Sequence, residues 1–281
     1  MSVKNFNPTL WSDMIFQAYD SRKVFAGLAN REYEGEIRNY GDTVVINEIG
    51  DFTAVSYDGS SSITYQTPDG AQKILKIDQS YIVPVHYDDL DKAQNNPKLM
   101  TEIARKAGVA IMQNIDYALS GLYTSAGITD GSTSSVTDIT SANVISTVAD
   151  MSSAFDENNV PQDRRVAVVP PWFAQKLTLA NIVRDTNNSP ALMTGYVGSM
   201  MGWEFYMSNN VRHSSTTWYA PMFFRAGDSI ALAEQINSVS VLQDKDYLGD
   251  FMRAHVLYGY KAVRPNALGV MYVAEGSESA I

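Results

Sequence analysis

The feature that most constrains the fold is a long amphipathic helix that starts after Asn96. Asparagine is a favoured N-cap residue and proline is favoured at the first helical position, where Pro97 stands. Apolar residues then recur at helical spacing along one face, namely Ile103, Ala107, Ile111, Ile115 and Leu122. The pattern predicts a helix from Pro97 to about Ser125, a rod of about 40 Å at 1.5 Å per residue. Few compact domains need so long a helix.

The residues before this helix alternate with the period of two that is typical of strands. A strand begins at Thr43–Ile46, and alternation resumes from Ile63 through Tyr65 to the turn Thr67-Pro-Asp-Gly70. Residues 72–85 form the returning arm. One face of it carries Lys73, Leu75, Ile77, Tyr81, Val83 and Val85, and the other carries Lys76, Asp78 and Ser80. The pattern predicts a long two-stranded hairpin with a polar tip. An isolated hairpin is marginally stable in water, so we expect it to lie along a surface, which need not belong to its own chain.

An N-terminal segment, Pro8 to Ala29, has the spacing of a short amphipathic helix that ends near Gly27. Its apolar positions are Trp11, Ile15, Ala18 and Tyr19. Such an arm has more apolar surface than it can bury on itself, and we expect it to pack on its own body or on another subunit.

A charged segment, Arg31 to Ile46, joins the arm to the hairpin. It places Glu32, Glu34, Glu36 and Asp42 close in sequence to Arg31 and Arg38. Two separated carboxyl groups can act as an acid/base pair, as in glycosidases, but here the arginines neutralise the cluster. Solvated or intersubunit salt bridges agree better with this mixture of charges.

The rest of the chain mixes strands and helices without a regular βαβ rhythm, so the fold class is α+β. A Gly/Ser/Thr-rich loop over residues 124–141 marks a domain boundary. The patterns then predict, in order, a helix over 142–157, a buried strand over 165–169 and a helix over 172–183. Strands at 204–208 and 218–224 follow, then a helical stretch at 230–235 and alternation from 238 to 273.

Composition excludes several classes of function. The chain has 21 basic and 31 acidic residues, a net charge of −10, which disfavours a dedicated nucleic-acid binder. It has no cysteine, which excludes disulfides, thiolate metal sites and cysteine nucleophiles. No signal peptide and no 18-residue apolar segment is recognisable, so we expect a soluble protein made in a cytoplasm.

The most serious catalytic candidate is Ser229, in Gly227-Asp-Ser-Ile-Ala231. A strand leads into this turn and the helical stretch 230–235 follows, the context of a nucleophilic serine in some esterases. The histidine base would have to come from His86, His213 or His255, and none has the spacing of those esterases. The alternative interpretation is a turn with Asp228 as helix N-cap, and we favour it.

Other motifs point weakly to ligands. Two stretches, Asp58-Gly-Ser-Ser-Ser62 and Asp130-Gly-Ser-Thr-Ser134, have the D-x-S-x-S spacing of the magnesium-binding site of adhesion domains. Both lie in serine-rich loops. The histidines lack ligand spacing, and Gly195–Gly202 lacks the lysine of a phosphate-binding loop and is interpreted as a loop entering the strand at Trp203. We expect neither a metal nor a cofactor.

In this order, with arm, hairpin, long helix and mixed body, the chain resembles tailed-phage major capsid proteins of the Hong Kong 97 type. The start of the chain is similar to many such coat proteins in Trp11–Ile15, Leu28–Gly35 and Gly41–Ile46. Gly198–Val211 is similar to the glycine–aromatic–strand segment of their axial domain, and Leu257–Leu268 to their terminal strand. The resemblance spans nearly the whole chain.

The resemblance implies an N-terminal arm over 1–40 and an extended hairpin loop over 41–85. It also implies a peripheral domain with a spine helix over 86–140 and 244–281, and an axial domain over 141–243. The chain would then be a coat protein that assembles with itself, as hexamers and pentamers, into an icosahedral shell around phage double-stranded DNA. It would be a virion protein assembled in the cytoplasm of the bacterial host, and not an enzyme.

Further partners that the resemblance suggests are a scaffolding protein, a portal and a decoration protein. Residues 1–30 are too short for the scaffolding segment that some members carry, so a scaffold would be a separate protein. Some members crosslink neighbouring subunits covalently through lysine and asparagine. We do not expect this here, because the sequence identifies no partner asparagine for the loop lysines. Candidate intersubunit contacts are Trp11, Arg31, Glu34, Glu36, Arg38, Tyr65, Lys73, Lys76 and Asp78. The alternatives are an encapsulin-type compartment that encloses a cargo enzyme, and the Ser229 hydrolase.

Overall fold

The computed structural model describes residues 23–33, 41–49, 54–57, 59, 65, 70–88, 97–180, 196–214, 217–243 and 249–277. The helices are α1 (Phe25–Leu28), α2 (Pro97–Ser120), α3 (Val144–Glu157) and α4 (Pro171–Leu179), with 3₁₀ turns at Gly121–Ser125 and Pro265–Ala267. The strands are β1 (Thr43–Ile49), β2 (Gly70–Lys76), β3 (Gln79–Asp88), β4 (Ile128–Asp130), β5 (Thr137–Ile139), β6 (Arg165–Val169), β7 (Tyr196–Met200), β8 (Trp203–Met207), β9 (Met222–Arg225), β10 (Ile230–Gln243), β11 (Gly249–Ala262), β12 (Leu268–Met271) and β13 (Val273–Glu275).

A mixed six-stranded sheet, in the order β4-β12-β9-β6-β8-β7, forms one part of the molecule. Its central strand β6 is buried at every residue, as a continuous apolar strand covered on both faces should be. Ala167 and Val169 belong to the core that α3 and α4 build on one face. Val166 and Val168 belong to the core that α2 builds on the other face.

A second, antiparallel sheet, in the order β10-β11-β3, lies between the long helix and the hairpin. Val256 and Tyr258 of β11 pack in the core that contains the buried face of α2. Ala231 and Leu257 face the opposite way and pack against the paired strands β1 and β2. The alternation of side chains along β10 and β11 therefore serves two cores at once.

The predicted long helix is confirmed, since α2 starts at Pro97 and the 3₁₀ turn carries the chain on to Ser125. Ala107, Ile111 and Ile115 are buried on it, as the apolar stripe predicted. The buried strand at 165–169 is confirmed with the same bounds. α3 begins two residues after the predicted start, at Val144 instead of Ala142, and ends as predicted at Glu157.

The prediction of a helical stretch at 230–235 is wrong, because these residues begin the strand β10. Alanine, leucine, glutamate and glutamine favour helices locally, but Ile230 to Gln235 pair with Ala262 to Leu257 of β11. Asp228 is therefore not a helix N-cap. The glycine-rich stretch before Trp203 is also not a loop, because Tyr196–Met200 forms β7 and pairs with β8.

The returning arm of the hairpin is divided between two sheets. β2 pairs with β1, from Thr43 opposite Lys76 to Ile49 opposite Gly70. The next strand, β3, leaves this pair and binds along β11. Alternation continues through both strands, so the pattern along residues 72–85 did not reveal the change of partner. The turn at 67–69 and the N-terminal arm before Lys23 lie outside the described residues.

Each of the two main sheets contains strands from more than one of the predicted segments, which are the arm, the loop, the peripheral domain and the axial domain. β10, whose residues fall in the axial segment, pairs with β11, and β11 pairs in turn with β3. β4 and β12 come from the peripheral segments and join the six-stranded sheet. The boundaries at 140 and 243 stay predictions, and the sheets connect the segments on either side of them.

Candidate assembly surfaces

The root of the β1–β2 hairpin is fixed to the second sheet by a small apolar core. Val44, Ile46, Leu75 and Ile77 of the hairpin are buried there against Ala231, Ala233 and Leu257. The backbone comes so close that a Cβ at Gly259 would lie 2.3 Å from the Lys76 carbonyl oxygen. Only glycine permits this approach, so the hairpin root is held at a defined place on β11.

The opposite face of the hairpin is exposed and carries two apolar residues beside polar ones such as Lys76. Val45 and Ile74 lie directly opposite each other across the strands and are 47% and 51% exposed. Tyr57 is 63% and Tyr65 88% exposed in the segment that joins the two strands. A cross-strand apolar pair normally contributes to stability through burial. Among the described residues this pair is only about half covered, as on a surface that another molecule covers.

The lysines predicted for this loop have different environments. Lys73 is half-buried, and its ammonium donates a hydrogen bond to the Val263 carbonyl oxygen of the same chain. Lys76 is exposed on the outer face, and Asp78 is exposed and accepts a hydrogen bond of 2.8 Å from the Gln79 side chain. Lys261 Nζ donates to the Ile74 carbonyl oxygen at 2.9 Å, a second tie between hairpin and sheet.

The start of the described chain is anchored on α2 by Asp116. This carboxylate is fully buried and accepts hydrogen bonds from Val24 N at 2.9 Å and Ala26 N at 3.0 Å. Burial raises the pKa of Asp116 to about 6, and the backbone hydrogen bonds oppose that rise. Phe25, between these two residues, packs in the core and stacks on Phe224 with ring centroids 6.5 Å apart.

Arg31 is the one predicted contact of the charged junction that the described residues contain. Its guanidinium forms an ion pair with Glu234, whose side chain is 5% exposed. The bridge between Asn30 and Ala231 brings the two residues together. Arg31 is thus engaged inside its own subunit. Trp11, Glu34, Glu36 and Arg38 lie outside the described residues, and their contacts remain predictions.

A groove of about 850 Å³ lies beside the hairpin root. Ile46 and Lys73 line one side of it, and Asn158 to Pro161, after α3, line another. The turn from β9 to β10 and the segment 263–267 complete the lining. The charged residues in this lining are Lys73, Arg225, Arg264 and Asp228.

Two of these cations belong to a charge network. Arg225 donates to Asp228 at 2.6 Å and to Asp163 at 2.7 Å. Arg264 donates to the same Asp228 oxygen at 2.9 Å. Hydrogen bonds from Arg225 lower the pKa of Asp163, and those of Asp163 and Asp228 raise the pKa of Arg225. The network therefore fixes the guanidinium groups at the groove.

Ser229 has a structural role in the same turn. Its side chain is fully buried, and its hydroxyl donates to the Ala267 carbonyl oxygen at 2.6 Å while accepting from Arg225 N at 3.0 Å. Both hydrogen bonds of this hydroxyl that the structure describes go to backbone atoms and not to a histidine base. Gly227, at φ 73°, makes the turn that brings Ser229 there.

The predicted weak ligand motifs gain no support in the described part of the chain. His255 Nε2 lies 2.9 Å from Ser80 Oγ, and His213 Nδ1 lies 3.1 Å from the Val211 carbonyl oxygen. No cluster of three or more metal-ligating side chains occurs among the described residues. No helix within them is both long and apolar enough to cross a membrane.

The sequence patterns missed Asp116, Glu234 and Gly259. Asp116 gave a signal, since it lies four residues after Met112 and three before Leu119, on the face of α2 that is buried. A carboxylate at such a position needs a partner from elsewhere. Glu234 and Gly259 gave no such signal, because their partners are 203 and 183 residues away, at Arg31 and Lys76.

Residues 72–271 match a family model described as phage capsid protein. A solved chain from Mycobacterium phage Che8 is 26% identical, with a TM-score of 0.71, over 96% of this chain and 98% of that one. The capsid of the cyanophage P-SCSP1u gives 15% identity and a TM-score of 0.68, over 90% and 89%. A virus-like particle from Pyrococcus furiosus gives 12% identity and a TM-score of 0.58, over 96% and 100%.

No curated protein sequence matches the chain. The structural likeness to phage capsids shows the Hong Kong 97-type capsid fold, as expected from the arm, hairpin, long helix and mixed body. The family match covers well over half of the 281 residues. The chain therefore belongs to the phage capsid protein family and is a structural subunit of a virion shell.

Proposed function

We propose that this chain is the major coat protein of a tailed phage and that its hairpin holds neighbouring subunits together in an icosahedral shell. The observation that carries the proposal is the pair of hairpin faces. One face of β1–β2 is buried on the chain's own sheet, and the other presents Val45 and Ile74 to solvent. Hexamers and pentamers of the same subunit would bury that outer face.

Burial of this outer face by a neighbouring subunit is energetically favourable. A two-stranded ribbon gains little from itself in water, and exposed apolar side chains are costly to leave uncovered. At about 25 cal/mol per Å² of apolar surface buried, covering one ribbon face with a neighbour stabilises each contact by several kcal/mol. When the same contact is repeated around a ring of subunits, the contacts together stabilise the shell.

The charge of the chain agrees with enclosing double-stranded DNA. A net charge of −10 repels phosphate, so the shell would contain packed DNA without binding it tightly or by sequence. We propose that assembly takes place in the cytoplasm of the bacterial host. A separate scaffolding protein, a portal and a decoration protein are the further partners in this proposal.

We also propose that the subunit has no catalytic role. Ser229, the leading nucleophile candidate, is buried and donates its proton to the Ala267 carbonyl oxygen. The Ser229→Ala variant should then lose the hydrogen bonds that the serine hydroxyl makes in the turn. It should show no loss of hydrolytic activity relative to the parent. Ester hydrolysis by the purified protein that disappears in this variant would contradict the proposal.

The decisive experiment is to express the chain, purify it and image it by electron microscopy. We expect closed particles or capsomers, with matching masses by sizing and light scattering. A monodisperse monomer at high concentration, without particles, would overturn the proposal. If particles form, their contents distinguish the alternatives, since an encapsulin-type shell would carry a cargo enzyme instead of a genome.

A further inference from the structure

The groove beside the hairpin root brings together polar side chains from four separate parts of the chain. Lys73 comes from β2, Arg225 from β9 and Arg264 from the segment after β11. The turn after α3 adds Asn158 and Asn159. The volume of about 850 Å³ lies in the range of pockets that hold small molecules. Polar groups that converge on one concave surface from distant segments are typical of a ligand site.

Cations outnumber carboxylates at this groove. The charged group at the groove and in its ion-pair network has four cations and two carboxylates, a net charge of +2, namely Lys73, Arg164, Arg225, Arg264, Asp163 and Asp228. The whole chain has a net charge of −10. The groove is therefore a positive site on an acidic molecule, and such a site attracts anions.

The arginines of the groove are held in place before any ligand binds. Arg225 donates to Asp163 and Asp228, and its side chain is only 15% exposed. Arg264 donates from one nitrogen to Asp228 at 2.9 Å, and its side chain is 51% exposed. A guanidinium has five N–H donors, so Arg264 can bind an anion without leaving Asp228. Fixed donors reduce the entropy that binding costs.

Asparagine side chains supply neutral donors in the same lining. Asn159 and Asn266 are exposed there, and Asn158 is held by a hydrogen bond of 2.7 Å to the Ala154 carbonyl oxygen. Amide N–H groups bind anionic oxygens without adding charge, and guanidinium groups bind phosphate oxygens with two parallel hydrogen bonds. This combination of donors suits a phosphate group.

We infer that the groove binds a small phosphate-bearing anion, held by Arg264, by the charge of Lys73 and by the asparagine amides. At physiological salt, charges beyond about 8 Å are largely screened. A small anion therefore meets chiefly the positive charge of the groove, whereas duplex DNA also meets the acidic molecule around it. The inference goes beyond the proposed shell function and concerns the single subunit.

A bound anion would connect the hairpin to the body of the subunit. Lys73 belongs to the hairpin, while Arg225 and Arg264 belong to the segments on which the hairpin root lies. A ligand that binds the folded arrangement alone stabilises it. Occupation of the groove should therefore raise the melting temperature and hold the hairpin root more firmly.

The test is a calorimetric titration of the purified full-length chain with pyrophosphate, together with thermal melting. Pyrophosphate should bind and raise the melting temperature, more weakly as sodium chloride is added. Arg264→Gln should lower the affinity roughly tenfold, because a charge-assisted hydrogen bond is lost. Arg105→Gln is the matched control, since Arg105 is also exposed and paired with a carboxylate, that of Glu102. It should bind like the parent.

A second variant adds a carboxylate to the groove and keeps every cation. Asn159 has φ 55°, a conformation that aspartate tolerates about as well as asparagine, so Asn159→Asp should fold. It should also weaken pyrophosphate binding. Asn114→Asp, the same change on the exposed face of α2, should not. Circular dichroism checks folding, and Asn159→Asp decides the question if Arg264→Gln does not fold.

Hydrogen exchange locates the bound anion. Pyrophosphate should slow exchange in β2 and in residues 263–267. Failure of the parent to bind pyrophosphate would overturn the inference. Binding that is unchanged in both groove variants would place the anion elsewhere and also overturn it. So would duplex DNA that binds the parent, is lost in Arg264→Gln and is not displaced by pyrophosphate, because the groove would then belong to nucleic acid.

Discussion

At the scale of single residues, buried charge does most to connect distant parts of this chain. Asp116 on α2 binds the backbone of Val24 and Ala26, and Glu234 on β10 binds Arg31. Both carboxylates are buried, and a buried carboxylate is tolerated only with donors around it. The segment that leads to the N-terminal arm is thus held at two points on the subunit body.

The raised pKa of Asp116 gives a pH-dependent stability. Its folded pKa of about 6 lies above its ordinary value of 3.8, so protonation favours the folded state. The contribution grows as the pH falls from above 6 to below about 4, by a total on the order of 3 kcal/mol. Asp116→Asn removes the ionisation. Relative to that variant, the parent should therefore become more stable as the pH falls from 7 to 4.

Calorimetric melting of the purified protein and of the variant between pH 4 and pH 7.5 measures this difference. Asp138→Asn, the same substitution at an exposed carboxylate of β5, is measured alongside as the matched control. A constant gap between parent and Asp116→Asn across the range would show that Asp116 does not titrate there.

At the scale of elements, the position of the hairpin depends on the space left at one residue of β11. A Cβ on residue 259 would meet the Lys76 carbonyl oxygen at 2.3 Å and Ile77 Cδ1 at 2.8 Å. Neither atom can yield easily, because Lys76 is bonded in the ladder and Ile77 is buried in the small core. The hairpin root must shift if this space is filled.

Gly259→Ala should therefore loosen the hairpin from the sheet. Overpacking of this kind lowers the free energy of unfolding by about 1–3 kcal/mol. Subunits that still fold should then fail to assemble. Hydrogen exchange should accelerate at Val44, Ile46 and Leu75. Gly121→Ala is the matched control, because nothing lies within 4 Å of a Cβ there. Unchanged exchange at the hairpin root in Gly259→Ala would contradict the role assigned to this glycine.

At the scale of the whole molecule, the subunit consists of two sheets packed with the long helix and a hairpin whose outer face is exposed. The long helix α2 lies between the two sheets and contributes to a core that includes residues of both. The hairpin is anchored at its root and exposes Val45, Ile74 and Tyr65. Under the proposed function, assembly buries this exposed apolar surface.

The charged junction before the hairpin gives a prediction at this scale. Reversing the charge of Glu34 and Glu36 should impair assembly and leave the subunit folded, since solvated charges contribute little to folding but do contribute to recognition. Particle yield by electron microscopy and circular dichroism of the unassembled protein measure the two effects. Reversal of Glu102, an exposed partner of Arg105 on α2, is the control. Loss of the fold itself in the Glu34/Glu36 variant would refute the assembly role.

Much of the fold could be predicted because its periodicity is local. The stripe through Ile111 and Ile115 predicted α2, and the apolar run at 165–169 predicted β6. The strand pair followed from alternation at Thr43–Ile46 and Leu75. The predicted strand through Tyr65 is wrong, because β2 pairs with residues 43–49 and Tyr65 lies outside any strand. The candidate intersubunit contacts stay predictions. Lys76 and Tyr65 are exposed as a contact requires, but Arg31 and Lys73 are bonded within their own chain.

By itself, the sequence determined the elements, the class and the acidic charge, because helix and strand periods and net charge are properties of neighbouring residues or simple sums. Tertiary structure alone decided that Ile230–Gln235 is a strand and that β2 and β3 belong to different sheets. It also decided that Asp116 holds the chain start and that three cations meet in one groove. These outcomes depend on partners tens to hundreds of residues away. Local periodicity reports which side of an element is buried, and it carries no information about what covers that side.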